Sequence, residues 1–301
     1  MAVITTGAHP KALWPGVAAW WGAKYNEYPT EYTQIFDVKT SQKNYEEEVQ
    51  QTGFGLVPRK TEGGGVQYDD HTQGFTTRYI HVAYGMGTIV TKEELADNLY
   101  TEVSMRRAES LAFSLHQTEE NVGANVLNRG FDSAFTGGDA KELFATDHPD
   151  FHGTFSNELN PSADFSEASL EDLSIQIMQA TNPRGLKISL LPKRLIIPVN
   201  LCFEAERVLK SQLQNDSANN AINALRTKGI IPEIAINHYL TDADAFFIKT
   251  NAPHGLTWFD RATAEYTQDT DFDTENAKSK VYRRMSIGWS DPRGGYASSG
   301  A

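Results

Sequence analysis

TKEELADNLYTEVSMRRAESLAFSLHQTEENVGANVLN, residues 91–128, contains no proline, and no glycine before Gly123. Thr91 and Glu94 stand at the T-x-x-E spacing of a capping box, in which each side chain satisfies a backbone N–H left free where a helix begins. Leu95, Leu99, Val103, Leu111, Leu115 and Val122 then recur near helical spacing, with Ala96, Ala108 and Ala112 beside them. That periodicity predicts a single helix with one apolar stripe, which Arg107 interrupts. At 1.5 Å per residue such a helix is on the order of 50 Å long, beyond the usual globular length. Its apolar residues do not keep heptad spacing, so it reads as the spine of a domain and not as one arm of a coiled coil.

Working back from the spine, FTTRYIHVAYGMGTIV at residues 75–90 is rich in Thr, Tyr, Ile and Val, the residues that favour strands. A turn-rich centre, PRKTEGGGVQYDDHTQG at residues 58–74, separates it from a second strand-like stretch that starts at Tyr45. Together they predict a long β-hairpin with a polar tip. An isolated hairpin of that length is not stable in water, so it should lie across another surface. Before it, Trp14, Trp20, Trp21, Tyr25, Tyr28, Tyr32 and Phe36 are scattered among Pro15, Gly16, Gly22 and Pro29. The segment reads as an irregular arm whose aromatics need the parent domain or a neighbouring subunit to pack against.

Beyond the spine, residues 130–166 read as loop, with Gly137, Gly138, Pro149, Gly153 and Pro161. Ser169 to Thr181 reads as an amphipathic helix on Leu170, Leu173, Ile177 and Ala180, ended by NPRG. Leu190 to Val199 is strand-like, Leu201 to Leu213 helical, and Ile230 to Tyr239 and Ala245 to Lys249 are strand-like again. This portion suits a compact α+β domain. VYRRMSIGW at residues 281–289 reads as a strand with Val281, Met285, Ile287 and Trp289 on one face.

With 301 residues, 40% hydrophobic and 22% charged, the chain can bury a real core and is not disordered. The single cysteine, Cys202, excludes an intrachain disulfide framework and a multi-cysteine zinc site, and suits a reducing cytosol. Residues 1–16, MAVITTGAHPKALWPG, lack the features of a signal peptide, and no apolar stretch reaches the roughly 18 residues of a membrane span. Neither export nor membrane insertion is expected. The net charge of −12 argues against a dedicated nucleic-acid binder, although a container gains from a lining that does not grip its contents.

Chemistry-bearing motifs are few. Asp147, His148, Asp150 and His152 form the densest set of metal-ligand types, but Pro149 and Gly153 place them in a loop without the H-E-x-x-H helix spacing. Asp269, Asp271, Asp273 and Glu275 lack the glycine and distal glutamate of a calcium loop. Gly63 to Gly65 are followed by VQYDD and not by the helix a phosphate cradle needs. Cys202, at the start of an apolar helix, has no histidine placed beside it by sequence. No catalytic, cofactor-binding or metal residue is assigned, no cofactor is expected, and the chain does not read as an enzyme.

ALWPGVAAWWGAKYNEYPTEYTQIF, GFGLVPRKTEGGGVQYDD, TRYIHVAYGMGTIVTKEELADNLY, YLTDADAFFIKTNAPHGLTWFDR and MSIGWSDPRGGYAS, in that order, resemble segments of the major capsid protein family of tailed double-stranded-DNA phages related to the Mu-like major head subunit. The resemblance runs from about Leu13 to Gly300. It implies the α+β HK-ninety-seven-like capsid fold shared by tailed phages, herpesviruses and encapsulins. On that fold, residues 1–45 would be the N-terminal arm, 46–90 the extended loop, and 91–166 the peripheral domain with spine helix 91–128. Residues 167–257 would be the axial domain, and 258–301 peripheral return strands and the C-terminus.

The resemblance also implies partners. Copies of the chain would join as hexamers and pentamers, with a separate scaffolding protein, a portal, a decoration protein and a maturation protease as further partners. Packaged double-stranded DNA would lie against the shell without specific contacts, and no membrane is involved. Assembly would take place in the bacterial host cytoplasm and end in the virion. Subunit contacts are expected at Trp14, Trp20, Trp21 and Tyr25 of the arm and at Arg59, Lys60, Glu62, Gly63, Gly64, Gly65, Asp69 and Asp70 of the loop. Lys60 lies near the hairpin tip, where one member type of the family carries an isopeptide crosslink, but no partner for it is identified and no crosslink is assigned. The competing readings are an encapsulin-type compartment, a tail or baseplate protein, and a metal-dependent enzyme using the 147–152 loop.

Overall fold

The computed structural model describes residues 14–93, 100–151, 153–214 and 221–300. Helix α3 (Tyr100–Asn128) is the spine and stops at the residue its sequence marks. Residues 92 and 93 are helical as well. Glu94, Leu95, Ala96 and Leu99, the rest of the anticipated capping box and the start of the stripe, lie outside the described residues. At the far end the Asn128 amide donates to the Tyr239 carbonyl and accepts from Thr241 N–H, which ties the helix end to the loop at residues 238–245. Gly130 then lets the chain turn, since a Cβ there would lie 2.6 Å from the Phe144 ring.

The spine packs on a four-stranded sheet in the order β1 (Asp37–Thr40), β10 (Leu256–Thr270), β11 (Ala277–Trp289), β4 (Val82–Val90). Only β1 pairs in parallel. Strand β10 is fifteen residues long, and the residue pattern of 256–270 does not by itself point to it. Tyr32, Phe36, Leu127, Phe144, Trp258 and Met285 fill the space between the sheet, the spine and the second sheet. Each large apolar side chain fully buried here contributes about 1.5–3 kcal/mol over leaving it in water.

The second sheet runs β12 (Gly295–Ser298), β9 (Phe246–Thr250), β7 (Pro192–Pro198), β8 (Glu233–Asn237). Pro192 and Pro198 sit at the ends of β7, where a missing N–H costs no central ladder bond. Helices α4 (Glu167–Met178), α5 (Cys202–Lys210) and α6 (Ala224–Lys228) accompany it. Helix α4 is capped reciprocally, Ser166 and Ser169 each accepting the other's backbone N–H. Leu170, Leu173, Leu195, Ile197, Phe246 and Tyr296 belong to its core. Strand β12 therefore completes this sheet and does not return to β10 and β11.

Three readings are corrected. The arm is not irregular: α1 (Trp14–Glu27) and α2 (Tyr32–Ile35) are helices, α1 lying against the spine. Proline is tolerated in the first turn, where its absent N–H has no partner to lose, so Pro15 does not break α1. The stretch 75–90 is two strands, because β3 (Gln73–Ile80) pairs with β2 (Tyr45–Gln51) while β4, after His81, leaves the hairpin for β11. Within the loop 130–166, β5 (His148–Asp150) and β6 (Gly153–Phe155) form a small hairpin.

Candidate assembly interface

The hairpin β2–β3 is fastened at its root and free at its apex. Tyr79, buried, sets its ring edge-on to Phe259 at 5.0 Å, and its hydroxyl lies 2.5 Å from Ser290 Oγ. Ser290 donates to Glu48, which also accepts from Lys39 Nζ at 2.8 Å and lies 3.3 Å from His254 Nδ1. Burial alone would raise the Glu48 pKa, but the bonds from Lys39, Ser290 and His254 outweigh it and hold the carboxyl below its ordinary value. At the break between β3 and β4, His81 is pinned on both sides, Nε2 3.0 Å from Ser41 Oγ and Nδ1 2.9 Å from Ser286 Oγ.

The ladder closes at Thr52 and Thr72, whose backbones bond at 3.1 Å. Between them the chain projects. Leu56, Val57, Val66 and Tyr68 are 81%, 94%, 67% and 98% exposed, and Phe54 is exposed as well. The tip turns at Thr61 to Gly64, with Gly64 N–H donating to the Thr61 carbonyl and Gly63 at φ +74. Arg59, Lys60, Glu62, Gly63, Gly65, Asp69 and Asp70 are exposed, and Gly64 partly so. Five large apolar side chains thus stand in water on one loop.

The arm behaves differently. Val17 and Trp21 are buried with Leu111 and Leu115 of the spine, and Trp21 stacks on Tyr25 and Tyr266 at 5.2 and 5.6 Å. The Tyr25 hydroxyl lies 2.7 Å from Glu119 Oε2 and accepts from Arg283 Nη1 at 2.6 Å. Trp21 and Tyr25 are thus turned into their own subunit. Trp20 is the outward aromatic, with Lys24 Nζ 5.2 Å from its ring centre. The side chain of Trp14 lies outside the described residues.

Residues 74–298 match the family model described as phage capsid protein. The chain belongs to the phage capsid protein family. As a capsid chain it is a structural subunit that associates with copies of itself in the shell of the virion, and its α+β fold is HK-ninety-seven-like. No curated protein matches the capsid chain by sequence. Solved structures match over nearly its whole length at low identity, which speaks to fold. A chain of Mycobacterium phage Patience is 14% identical with a TM-score of 0.51, over 98% of this chain and 88% of that one. A chain of the capsid of Myoviridae phage XM1 is 10% identical with a TM-score of 0.52, over 91% and 92%. A virus-like particle from Pyrococcus furiosus is 14% identical with a TM-score of 0.53, over 94% and 97%.

The metal-ligand types of the capsid chain are dispersed among other partners. His148, fully buried, has Nδ1 2.6 Å from Asp139 Oδ2 and Nε2 3.0 Å from Asn157 Oδ1. Asp147 pairs with Lys141 and Asp150 with Arg293, while His152 lies outside the described residues. In the β10–β11 turn Asp271 pairs with Lys278 and Glu275 with Lys92, while Asp269 Oδ1 accepts from the Thr270 N–H and Asp271 Oδ1 accepts from the Asp273 N–H. No group of three or more His, Cys, Asp or Glu placed to hold a metal occurs among the described residues. Cys202 is a free, half-buried thiol at the first residue of α5. What sequence reasoning missed is Arg283, on the inward face of β11 among Val281 and Met285, where residues of four other elements, α1, α2, α3 and β10, surround its charge.

Proposed function

We propose that the chain is the major subunit of an icosahedral head, joining as hexamers and pentamers around packaged double-stranded DNA with no catalytic step of its own. The observation that carries this reading is the apex of the hairpin, which holds Leu56, Val57, Val66 and Tyr68 in solvent on a root fastened by Tyr79, Glu48 and His81. A rigid base with an uncovered apolar end suits capture by the neighbouring subunit, and a ring of such contacts closes by symmetry. On this reading the spine and the first sheet form the peripheral domain, and the second sheet with α4, α5 and α6 forms the axial domain around the capsomer centre. Arg59, Lys60, Glu62, Gly63, Gly64 and Gly65 meet the neighbour, joined by Trp20 and Trp14 of the arm, whereas Asp69 and Asp70 are engaged by Arg184 of their own subunit.

A scaffolding protein, a portal, a decoration protein and a maturation protease are the further partners this role calls for, acting in the bacterial host cytoplasm. The net charge of −12 suits a wall that confines DNA without binding it. Negative-stain electron microscopy with light scattering tests the reading on two proteins, the full chain and a variant in which Arg59 to Gly65 is replaced by a short turn. Closed shells or capsomers from the full chain, and a folded subunit that closes no shells from the variant, are expected. Normal shells from the variant would refute the role of the tip, and a full chain that stays monomeric even with scaffold would refute the assembly reading.

A further inference from the structure

The neck of the hairpin touches its own subunit at one charged point. Asp69 Oδ2 accepts from the Gly55 N–H at 2.8 Å, which joins the two sides of the projecting loop, and from Arg184 Nη1 at 2.6 Å. Arg184 Nη2 donates in addition to the Asp70 carbonyl. The guanidinium thus grips a carboxylate and a backbone oxygen with two different nitrogens, a fork that a point charge cannot reproduce. Gly55 leaves room for it, since a Cβ there would lie 3.1 Å from Arg184 Nη1. Beneath the pair is an open hollow of about 410 Å³ between Thr52, Thr72, Phe151 and Leu186, so little else supports the neck on that side.

Arg184 itself stands on a stiff mount. Asn182 Oδ1 accepts from Arg184 N–H and Leu186 N–H, Asn182 N–H donates to the Leu186 carbonyl, and Gly185 adopts φ +76 to close the turn. The chain entering the turn is anchored by Arg293, 1% exposed, whose Nε donates to the Thr181 carbonyl at 2.7 Å and whose Nη2 meets Asp150. A continuous path therefore runs from the buried Arg293 through a tight turn to Arg184 and the neck, while the apolar apex beyond the neck stays uncovered.

We infer that Arg184 is a positioning residue for assembly, a brace from the 182–186 turn that aims the apex of the hairpin at the neighbouring subunit. The inference rests on the assembly role of the apex. A loop held in its bound direction loses less freedom on capture, so the brace accelerates shell closure without adding a contact to the interface.

Three variants test it: Arg184→Ala, Arg184→Lys and Asp69→Asn. In the unassembled subunit, trypsin cleavage after Arg59 and Lys60 reads the freedom of the tip directly. R184A and D69N should be cut about two- to fivefold faster than the parent, the range an exposed ion pair supports, with R184K between. In light scattering the same variants should close shells more slowly, with thermal midpoints unchanged. Unchanged cleavage, unchanged assembly, faster assembly, or a fall in thermal midpoint in step with the assembly loss would each overturn the brace. Failure of the parent chain to assemble would instead strike at the shell role, whereas the cleavage comparison on free subunits still judges the brace.

Discussion

Arg283 Nη1 lies 2.5 Å from Glu119 Oε1 with both side chains sealed from solvent, joining the last long strand of the first sheet to the middle of the spine. Asp260 of β10 and the hydroxyls of Tyr25 and Tyr32 complete the guanidinium's surroundings. Removing one member of a buried pair strands the other charge without water, so Arg283→Ala should cost about 3–5 kcal/mol. R283M combined with E119Q removes both charges and should cost much less. Denaturant unfolding of the three proteins measures the difference, and equal losses in the single and double variants would contradict the pairing.

Glu120, the next residue of the spine, holds the arm by accepting the N–H groups of Glu31 and Tyr32 at 2.8 and 2.9 Å. Burial pushes its pKa up to about 7, and Glu31 and Glu119 add to the rise. Because the folded value lies above the unfolded one, the folded subunit takes up a proton between the two, and stability should rise as pH falls from about 7 toward 4.5. The nearby His116, lowered by burial, works the other way below its ordinary value. The difference between the parent and Glu120→Gln isolates the carboxyl. Thermal melts across pH 5 to 8 should show the parent gaining on E120Q with acidification, by up to about 1.4 kcal/mol per pH unit.

Gly255, just before β10, and Gly294, just before β12, cross backbone to backbone. A Cβ at Gly255 would lie 2.7 Å from the Gly294 Cα, and the reverse substitution is closer still. Neither contact ends on a flexible side chain, so the two segments must part. Gly255→Ala and Gly294→Ala should each destabilise the subunit by about 1–3 kcal/mol, read from denaturant midpoints. Alanine at Gly65 of the tip, where nothing stands within 4 Å, is the matched control and should leave the midpoint in place.

Val57→Ser and Tyr68→Ser remove apolar surface that the isolated subunit does not use. Each should leave folding stability within about 0.5 kcal/mol of the parent, since both side chains stand almost wholly in solvent. Assembly should suffer, because such groups act as anchors when a partner buries them. Light scattering at fixed subunit concentration separates the two effects.

The parts read correctly from sequence are those whose signal is local. The spine ends at Asn128, β2 and β3 flank the glycine-rich tip, and α4 stands where Leu170, Leu173 and Ile177 recur. The arm was misread because Pro15, Gly16 and Gly22 masked the helical spacing of Val17, Trp21 and Tyr25, which face the spine together. Strand β10 was missed because LTWFDRATAEYTQDT mixes charge with apolar residues, and its outer half alternates only between half-buried and exposed. Arg283 could not be read at all: its partners stand at positions 25, 32, 119 and 260, and only the folded chain brings them together. The tip was legible as a tip, but the Arg184 contact joins residues 115 apart.

The pairing of β4 with β11, like that of β1 with β10, joins parts of the chain far apart in sequence. Val82 must find Met285, and Val90 must find Ala277, across roughly two hundred residues of intervening chain. Contacts so remote in sequence form late and slowly, because the closure entropy is spent before the ladder rewards it. Until then the inward faces of both strands and of the spine lie open to self-association. A first-order search within each chain is therefore expected to limit the supply of folded subunits, so that raising the concentration of newly made protein should accelerate clumping sooner than it accelerates building.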